Sequence, residues 1–280
     1  MHTYLVTFVA MAAFAANSIL CRLALQSGAI DPGAFTVIRL FSGAFVLVVL
    51  SGVWKGRIHV LKSSMTLWNG CALFVYAIFF SYAYVALAAG TGALILFATV
   101  QFALIGAYLW QGHKLSWREG FGSLCAIVGF IILMLPGAQQ PDLFAAIMMI
   151  LSGLGWAAFT LLGQKSSSAV VGITQGVVGA SLIILLILPW IGFAFDLSGY
   201  GVSLALLSGA VTSGGGYVLW YWILKRLSLL QASVAQLSVP LLAFIAGTIW
   251  LGEELSLQAV IASILILGGI LVVMKVKSER

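Results

Sequence analysis

Stretches of about 20 apolar residues, the length a helix needs to cross a bilayer core, recur along the chain with short breaks at Gly, Pro and charged residues. Ten can be drawn: 3–26, 34–54, 65–88, 92–111, 116–135, 142–164, 170–192, 201–224, 229–251 and 255–275. The connections are short, so neighbouring helices are expected to run antiparallel. The pattern predicts an all-α membrane protein with ten transmembrane helices.

The charges sort along this pattern. Lys55, Arg57 and Lys62, then Lys114 and Arg118, then Lys165, then Lys225 and Arg226, and finally Lys275, Lys277 and Arg280 fall on one side. Asp31, Asp142, Asp196, Glu253 and Glu254 fall on the other. By the positive-inside rule, this predicts both termini on the cytoplasmic side of the inner (cell) membrane. A nine- or eleven-span reading would scramble the sorting.

Composition agrees. Of 280 residues, 62% are hydrophobic and 7% charged, against about 25% charged in soluble domains. A water-soluble enzyme is excluded. The net charge of +6 reads as topology signal, so no nucleic-acid partner is expected; the expected partners are the bilayer and a small-molecule substrate. Cys21, Cys71 and Cys125 lie in apolar segments without paired spacing, which predicts neither disulfides nor a zinc site. No cofactor, metal or catalytic residue is expected. The first apolar run lacks a preceding Lys or Arg and exceeds a signal-peptide core, so it reads as a retained first helix. A monomer is the working expectation.

Offset by 140 positions, the chain aligns with itself. LWQGHKLS (109–116) falls on IWLGEELS (249–256), sharing W-x-G-x-x-L-S, and Gly129 falls on Gly269. FAAN (14–17) resembles WAAF (156–159). The predicted halves are 1–138 and 139–280, within one integral membrane unit. Five spans per half is an odd number, so the second copy is inverted; His113-Lys114 on one side answers Glu253-Glu254 on the other. Inverted 5+5 repeats are a transporter architecture with a midplane site between the halves.

VPLLAFIAGTIWLGEELS (239–256), its divergent counterpart TVQFALIGAYLWQGHKLS (99–116), the Arg of TVIRLFSGAF (36–45) and Trp156-Ala157 together resemble the drug/metabolite transporter (DMT) superfamily, in particular EamA-type ten-helix exporters. Two positions depart from that pattern: Val100 where the family usually has Pro, and Phe14-Ala15 where it often has Trp-Gly. The resemblance implies export of small metabolites. It is nearest the YddG-type exporters, which implies amino acids, aromatic ones included, though fold does not fix function. A hydrophobic drug, nucleobase or sugar-like metabolite is the alternative cargo.

No Asp or Glu lies mid-span, where proton-coupled carriers commonly place one. The substrate site is therefore expected to be built from neutral hydrogen-bonders and aromatics: Asn17, Tyr76, Tyr82, Thr99, Gln101, Trp156, Thr160, Tyr217, Trp220 and Gln236. Each polar one could instead bond a neighbouring helix. Arg39, the deepest charge, could attract a carboxylate, but snorkelling to the outer interface is the favoured reading. Tyr76 and Phe80 share one stripe of the third span and Tyr82 another, and the Tyr hydroxyls point to a cavity better than Phe does. Trp54, Trp68, Trp110, Trp117, Trp190 and Trp250 read as interface-belt residues. Gly214, Gly215 and Gly216 sit where helix propensity is lost by about 1 kcal/mol each, either for close helix approach or as a hinge. Pro240 frees a carbonyl near Gln236 and marks a second candidate bend or gate.

Overall fold

The computed structural model describes residues 2–55, 64–110, 112, 116–135, 141–164, 169–188, 197–224, 226 and 235–278. The elements are α1 (His2–Gln26), α2 (Pro32–Lys55), α3 (Ser64–Ala83), α4 (Ala89–Trp110), α5 (Trp117–Met134), α6 (Leu143–Gln164) and α7 (Ala169–Ile187). A single rod then runs through α8 (Gly199–Leu207), a π-helical stretch π1 (Ser208–Gly215) and α9 (Gly216–Leu224), followed by α10 (Ser238–Leu251) and α11 (Leu257–Ser278). No strand occurs among the described residues, where one antiparallel bridge joins Ile30 to Leu197. In lipid, backbone groups must be satisfied within a segment, and helices do this.

Among the described residues, seven helices are long and apolar enough to cross a membrane: Thr3–Gln26, Pro32–Leu50, Thr66–Ala83, Ala89–Ala107, Leu143–Gly163, Val170–Ile187 and Gly199–Trp220. Ser238–Leu251 and Leu257–Val272 are shorter apolar helices. The outward surface is apolar too, as at Phe45, Leu186 and Leu257, which suits lipid contact. Trp68, Trp110, Trp117 and Trp250 are exposed near helix ends, as interface residues should be. Trp190, Lys114, Lys165 and Asp196 lie outside the described residues, as do Arg57, Lys62, Lys225 and Arg280.

Helix starts explain several polar residues. Asp31 Oδ1 accepts from the Gly33 and Ala34 amides at 2.8 and 3.0 Å, and Asp142 Oδ1 from Ala145 at 2.7 Å. Both satisfy orphan N–H groups at an N-terminus. The W-x-G-x-x-L-S motif has a physical basis in both copies. Gly112 and Gly252 adopt left-handed backbone, with φ of 86° and 64°, a conformation that favours glycine at a helix end. Ser116 then caps α5 in a capping box with Glu119, and the Ser256 Oγ accepts from the Ala259 amide at 3.0 Å.

Helices early in the chain pack against helices late in it. α3 packs on α6 and α7, α2 on π1 and α7, α1 on α9 and α10, and α4 on α6 and α10, while α5 pairs with α11. In that last pair Gly129 lies against Ala262 and Ile266, and Gly269 against Gly122 and Ala126. The two sets of contacts exchange under the 140-residue offset.

Pro240 sits in the first turn of α10. Ala235 and Gln236 are helical, Leu237 is a turn, and the helix resumes at Ser238. The missing proline N–H interrupts the ladder one turn upstream, as its chemistry requires.

Candidate functional site

Five helices and π1 bring aromatic and polar side chains together in the interior. Asn17 on α1 is the polar centre. Its Oδ1 accepts from Ser208 Oγ at 2.6 Å and Thr212 Oγ1 at 3.2 Å, and its Nδ2 donates to the Tyr76 hydroxyl at 3.4 Å. Ser208 and Thr212 are four residues apart on π1, and the single Thr212 hydroxyl proton is shared between Asn17 Oδ1 and the Ser208 carbonyl at 2.8 Å.

Around this centre stands a cage of rings. The Trp156 centroid lies 4.9 Å from Tyr76, 5.2 Å from Tyr217 and 6.0 Å from Phe14. Phe14 meets Tyr217 at 6.0 Å and Trp220 at 5.9 Å, edge on. Tyr76 meets Phe80 at 5.3 Å. Such pairs each add about 0.5–1.5 kcal/mol beyond burial. The cage encloses a cavity of about 20 Å³ bordered by Phe14, Asn17, Tyr76, Phe97, Trp156 and Tyr217, room for about one water. The site is closed in this conformation. A second cavity, of about 10 Å³, is bordered by Tyr217 as well and by Arg39, Ser213 and Gly214. A larger cavity of about 190 Å³ lies beneath the α10–α11 link, bordered by Phe244, Thr248, Glu253 and Gln258. None of the caged groups faces it.

Arg39 overturns the snorkelling expectation. It is 2% exposed. Its guanidinium lies 4.8 Å from the Phe80 centroid and 5.1 Å from that of Tyr76. Its Nη1 has no hydrogen-bond partner. Its side chain is hydrogen-bonded to that of Tyr217 and in electrostatic contact with Tyr76 and Cys21, and the ion pair found among the described residues is elsewhere, Arg22–Glu253 at 3.5 Å. The reason is packing: α2 lies on π1 so tightly that a Cβ on Gly209 would strike the Arg39 backbone. That contact puts Arg39 on the interior face. Aromatic faces replace part of its lost hydration.

Of the residues expected from sequence, the structure gathers Asn17, Tyr76, Trp156, Tyr217 and Trp220. Tyr82 is not among them. Six residues beyond Tyr76 it is turned by about 240° on the helix, and it is 37% exposed. Thr99 and Thr160 are also set apart: their hydroxyls donate to their own helices, at Ile95 and Trp156 carbonyls, both 2.8 Å. Gln101 and Gln236 are buried, each with one amide atom unpartnered, but neither borders the cage cavity. Gly214 borders the Arg39 cavity. Gly215 belongs to π1, and Gly216 begins α9 against Ala13 and Phe14.

Sequence reasoning weighed Arg39 by its depth but favoured snorkelling, left Phe14 and Phe80 without a site role, and passed over Ser208 and Thr212. The four-residue spacing of Ser208 and Thr212 was an available signal. Nothing local distinguishes Phe14 or Phe80 from lipid-facing phenylalanines.

A bundle of membrane-spanning helices closed around a buried polar and aromatic cage defines the class of a multi-pass membrane carrier. The chain belongs to the EamA-like transporter family, whose model matches residues 143–275. An uncharacterized protein of Pseudomonas aeruginosa is 44% identical over 279 residues, 99% of this chain and 96% of that one. The transporter YoaV of Bacillus subtilis is 20% identical, with 86% of each chain covered. A probable terminal-alkyne amino-acid exporter of Streptantibioticus cattleyicolor is 22% identical over 79% of this chain and 76% of its own. One solved crystal structure matches with a TM-score of 0.70 over 98% of both chains at 16% identity, a likeness of fold. The protein is thus a membrane transporter of the DMT superfamily that acts on a small molecule within the bilayer.

Proposed function

We propose that this transporter exports small metabolites, amino acids with aromatic ones among them, across the inner membrane. The observation that carries the reading is the cage itself. Rings of Phe14, Tyr76, Trp156 and Tyr217 surround neutral hydrogen-bonders, a lining suited to an apolar or aromatic side chain beside polar head groups. The amino-acid exporter among the relatives is in keeping with that cargo.

The transport cycle we propose is alternating access between two inverted five-helix halves, with ten spans, both termini cytoplasmic and no carboxylate at the midplane. In support, the Gly129 and Gly269 contacts exchange under the 140-residue offset, and the two W-x-G-x-x-L-S loops share left-handed glycines and serine caps. The cage draws on α1 and α3 from one half and α6 and α9 from the other, so movement between the halves would open it. Proteoliposomes loaded with labelled phenylalanine or threonine, with and without a proton gradient, test the reading. Transport of phenylalanine above empty vesicles is expected, and transport of neither amino acid sinks it.

A further inference from the structure

We propose that the transported molecule carries a carboxylate and that Arg39 receives it, with the Ser213 hydroxyl as second donor; this rests on the small-molecule site described above. A charged side chain inside a membrane protein is costly, about 2.5–3.5 kcal/mol for arginine at a helix centre on insertion scales, and is normally paired. Arg39 is buried, faces rings and is hydrogen-bonded to the neutral Tyr217 side chain, and no carboxylate lies against it among the described residues. Two unpartnered buried groups, Arg39 Nη1 and Ser213 Oγ, border one small cavity. Gly214 borders it as well, so bare backbone lies where a ligand atom would approach.

The next cavity holds the other half of the recognition. Tyr217 borders both, so the Arg39 cavity and the aromatic cage share one wall residue. The Trp156 indole N–H in the cage is buried without an acceptor. When the halves part and Tyr217 moves, the two spaces join into one elongated site. It is cationic at the Arg39 end and aromatic at the Trp156 end. A guanidinium whose Nη1 is free to donate can take a carboxylate oxygen, and charge-assisted bonds of this kind are about twice as strong as neutral ones. An amine lacking a carboxylate would bring positive charge to positive charge. The site therefore selects small organic acids and zwitterions with an apolar body and rejects lipophilic cations.

The test uses the purified full-length protein and its thermal unfolding with three probes: phenylalanine, 3-phenylpropionate (carboxylate without amine) and phenethylamine (amine without carboxylate). On the wild type, 3-phenylpropionate is expected to stabilise and phenethylamine to have no effect. In Arg39→Gln the apparent affinity for 3-phenylpropionate is expected to fall about tenfold or more, with Arg39→Lys intermediate because it keeps the charge without the fork. Ser213→Ala is expected to weaken it by about three- to tenfold. Should Arg39→Gln fail to fold, the wild-type pair of probes and Ser213→Ala decide. Equal stabilisation by both probes, no shift with 3-phenylpropionate, or an Arg39→Gln affinity within twofold of wild type overturns the inference. Arg39-dependent binding of 3-phenylpropionate without phenylalanine transport sinks amino-acid export and leaves the carboxylate site standing. Phenylalanine transport with no Arg39 dependence does the reverse.

Discussion

Asn17 uses three side-chain hydrogen bonds to tie three helical segments: Tyr76 on α3, and Ser208 and Thr212 on π1, to α1. A buried polar group left without its partner costs about 1–3 kcal/mol. Asn17→Leu keeps the volume and removes the amide. Thr212 retains its bond to the Ser208 carbonyl, but the Ser208 hydroxyl and the Tyr76 hydroxyl each lose a partner. A loss of about 1–3 kcal/mol in stability is expected, together with loss of phenylalanine transport in proteoliposomes. Thr160→Val is the contrast. Its hydroxyl only doubles up on the Trp156 carbonyl of its own helix, so a stability change within about 0.5 kcal/mol and near-normal transport are expected. If both variants behaved alike, the Asn17 network would have no special place in the site.

At the scale of elements, the rod through α8, π1 and α9 is the unusual piece, because π turns are rare and often accompany functional sites. Its glycines do different things. Gly209 is the close-approach position: a Cβ there would strike the Arg39 carbonyl oxygen and Cα, and backbone cannot give way cheaply. Gly215 is open, its nearest contact being the Ala210 carbonyl of its own rod at 4.0 Å. Gly209→Ala is therefore expected to destabilise by about 1–3 kcal/mol. Gly215→Ala should be neutral or stabilising by up to about 1 kcal/mol, the usual gain of alanine over glycine in a helix. Thermal unfolding in detergent measures both, and comparable losses in the two would show that the packing contact is not what distinguishes them. The sequence drew attention to Gly214–Gly216 because three glycines in an apolar run are locally conspicuous. It could not reveal Gly209, whose partner Arg39 is distant in the chain. Among the described residues, seven of the ten spans drawn coincide with helices long and apolar enough to cross a membrane, legible because apolar length is a local property, and the break before Pro240 was legible because its missing N–H acts one turn away. Which stripe of α3 turns inward was not legible: Tyr76 and Tyr82 are equally aromatic, and packing against α6 and α7 selects the first.

The whole molecule adds a latch at one end of the bundle, on the Asp31 side of the cage. Glu253, in the α10–α11 link, accepts from the Ala89 amide with both oxygens at 3.0 and 2.9 Å and pairs with Arg22 of α1 at 3.5 Å. Arg22 Nη1 donates in turn to the Tyr84 and Val85 carbonyls at 3.1 and 2.8 Å. One carboxylate thus fastens the second half of the chain to α1, to the start of α4 and, through Arg22, to the α3–α4 turn. On the same side, Ile30 bridges Leu197 and the Ser198 hydroxyl donates to the Ala29 carbonyl at 2.7 Å. A path opened from this end by parting α1 from the α10–α11 link would break the Glu253 contacts. Glu253→Gln preserves shape and one acceptor while removing the charge; hydrogen bonds to charged groups are worth about 1.5–3 kcal/mol. If those contacts form only in the closed state, losing them raises the open population by a factor of roughly 10–100. The reporter is a cysteine at Ser18, which borders the cage cavity, in a background with Cys21, Cys71 and Cys125 replaced. Its labelling rate by a membrane-impermeant maleimide from the Glu253 side is expected to rise by that factor in Glu253→Gln, and equally in Arg22→Gln. The double variant should add little, because both act on one contact network. An unchanged rate in both single variants would mean that the pair anchors the link without governing access to the site.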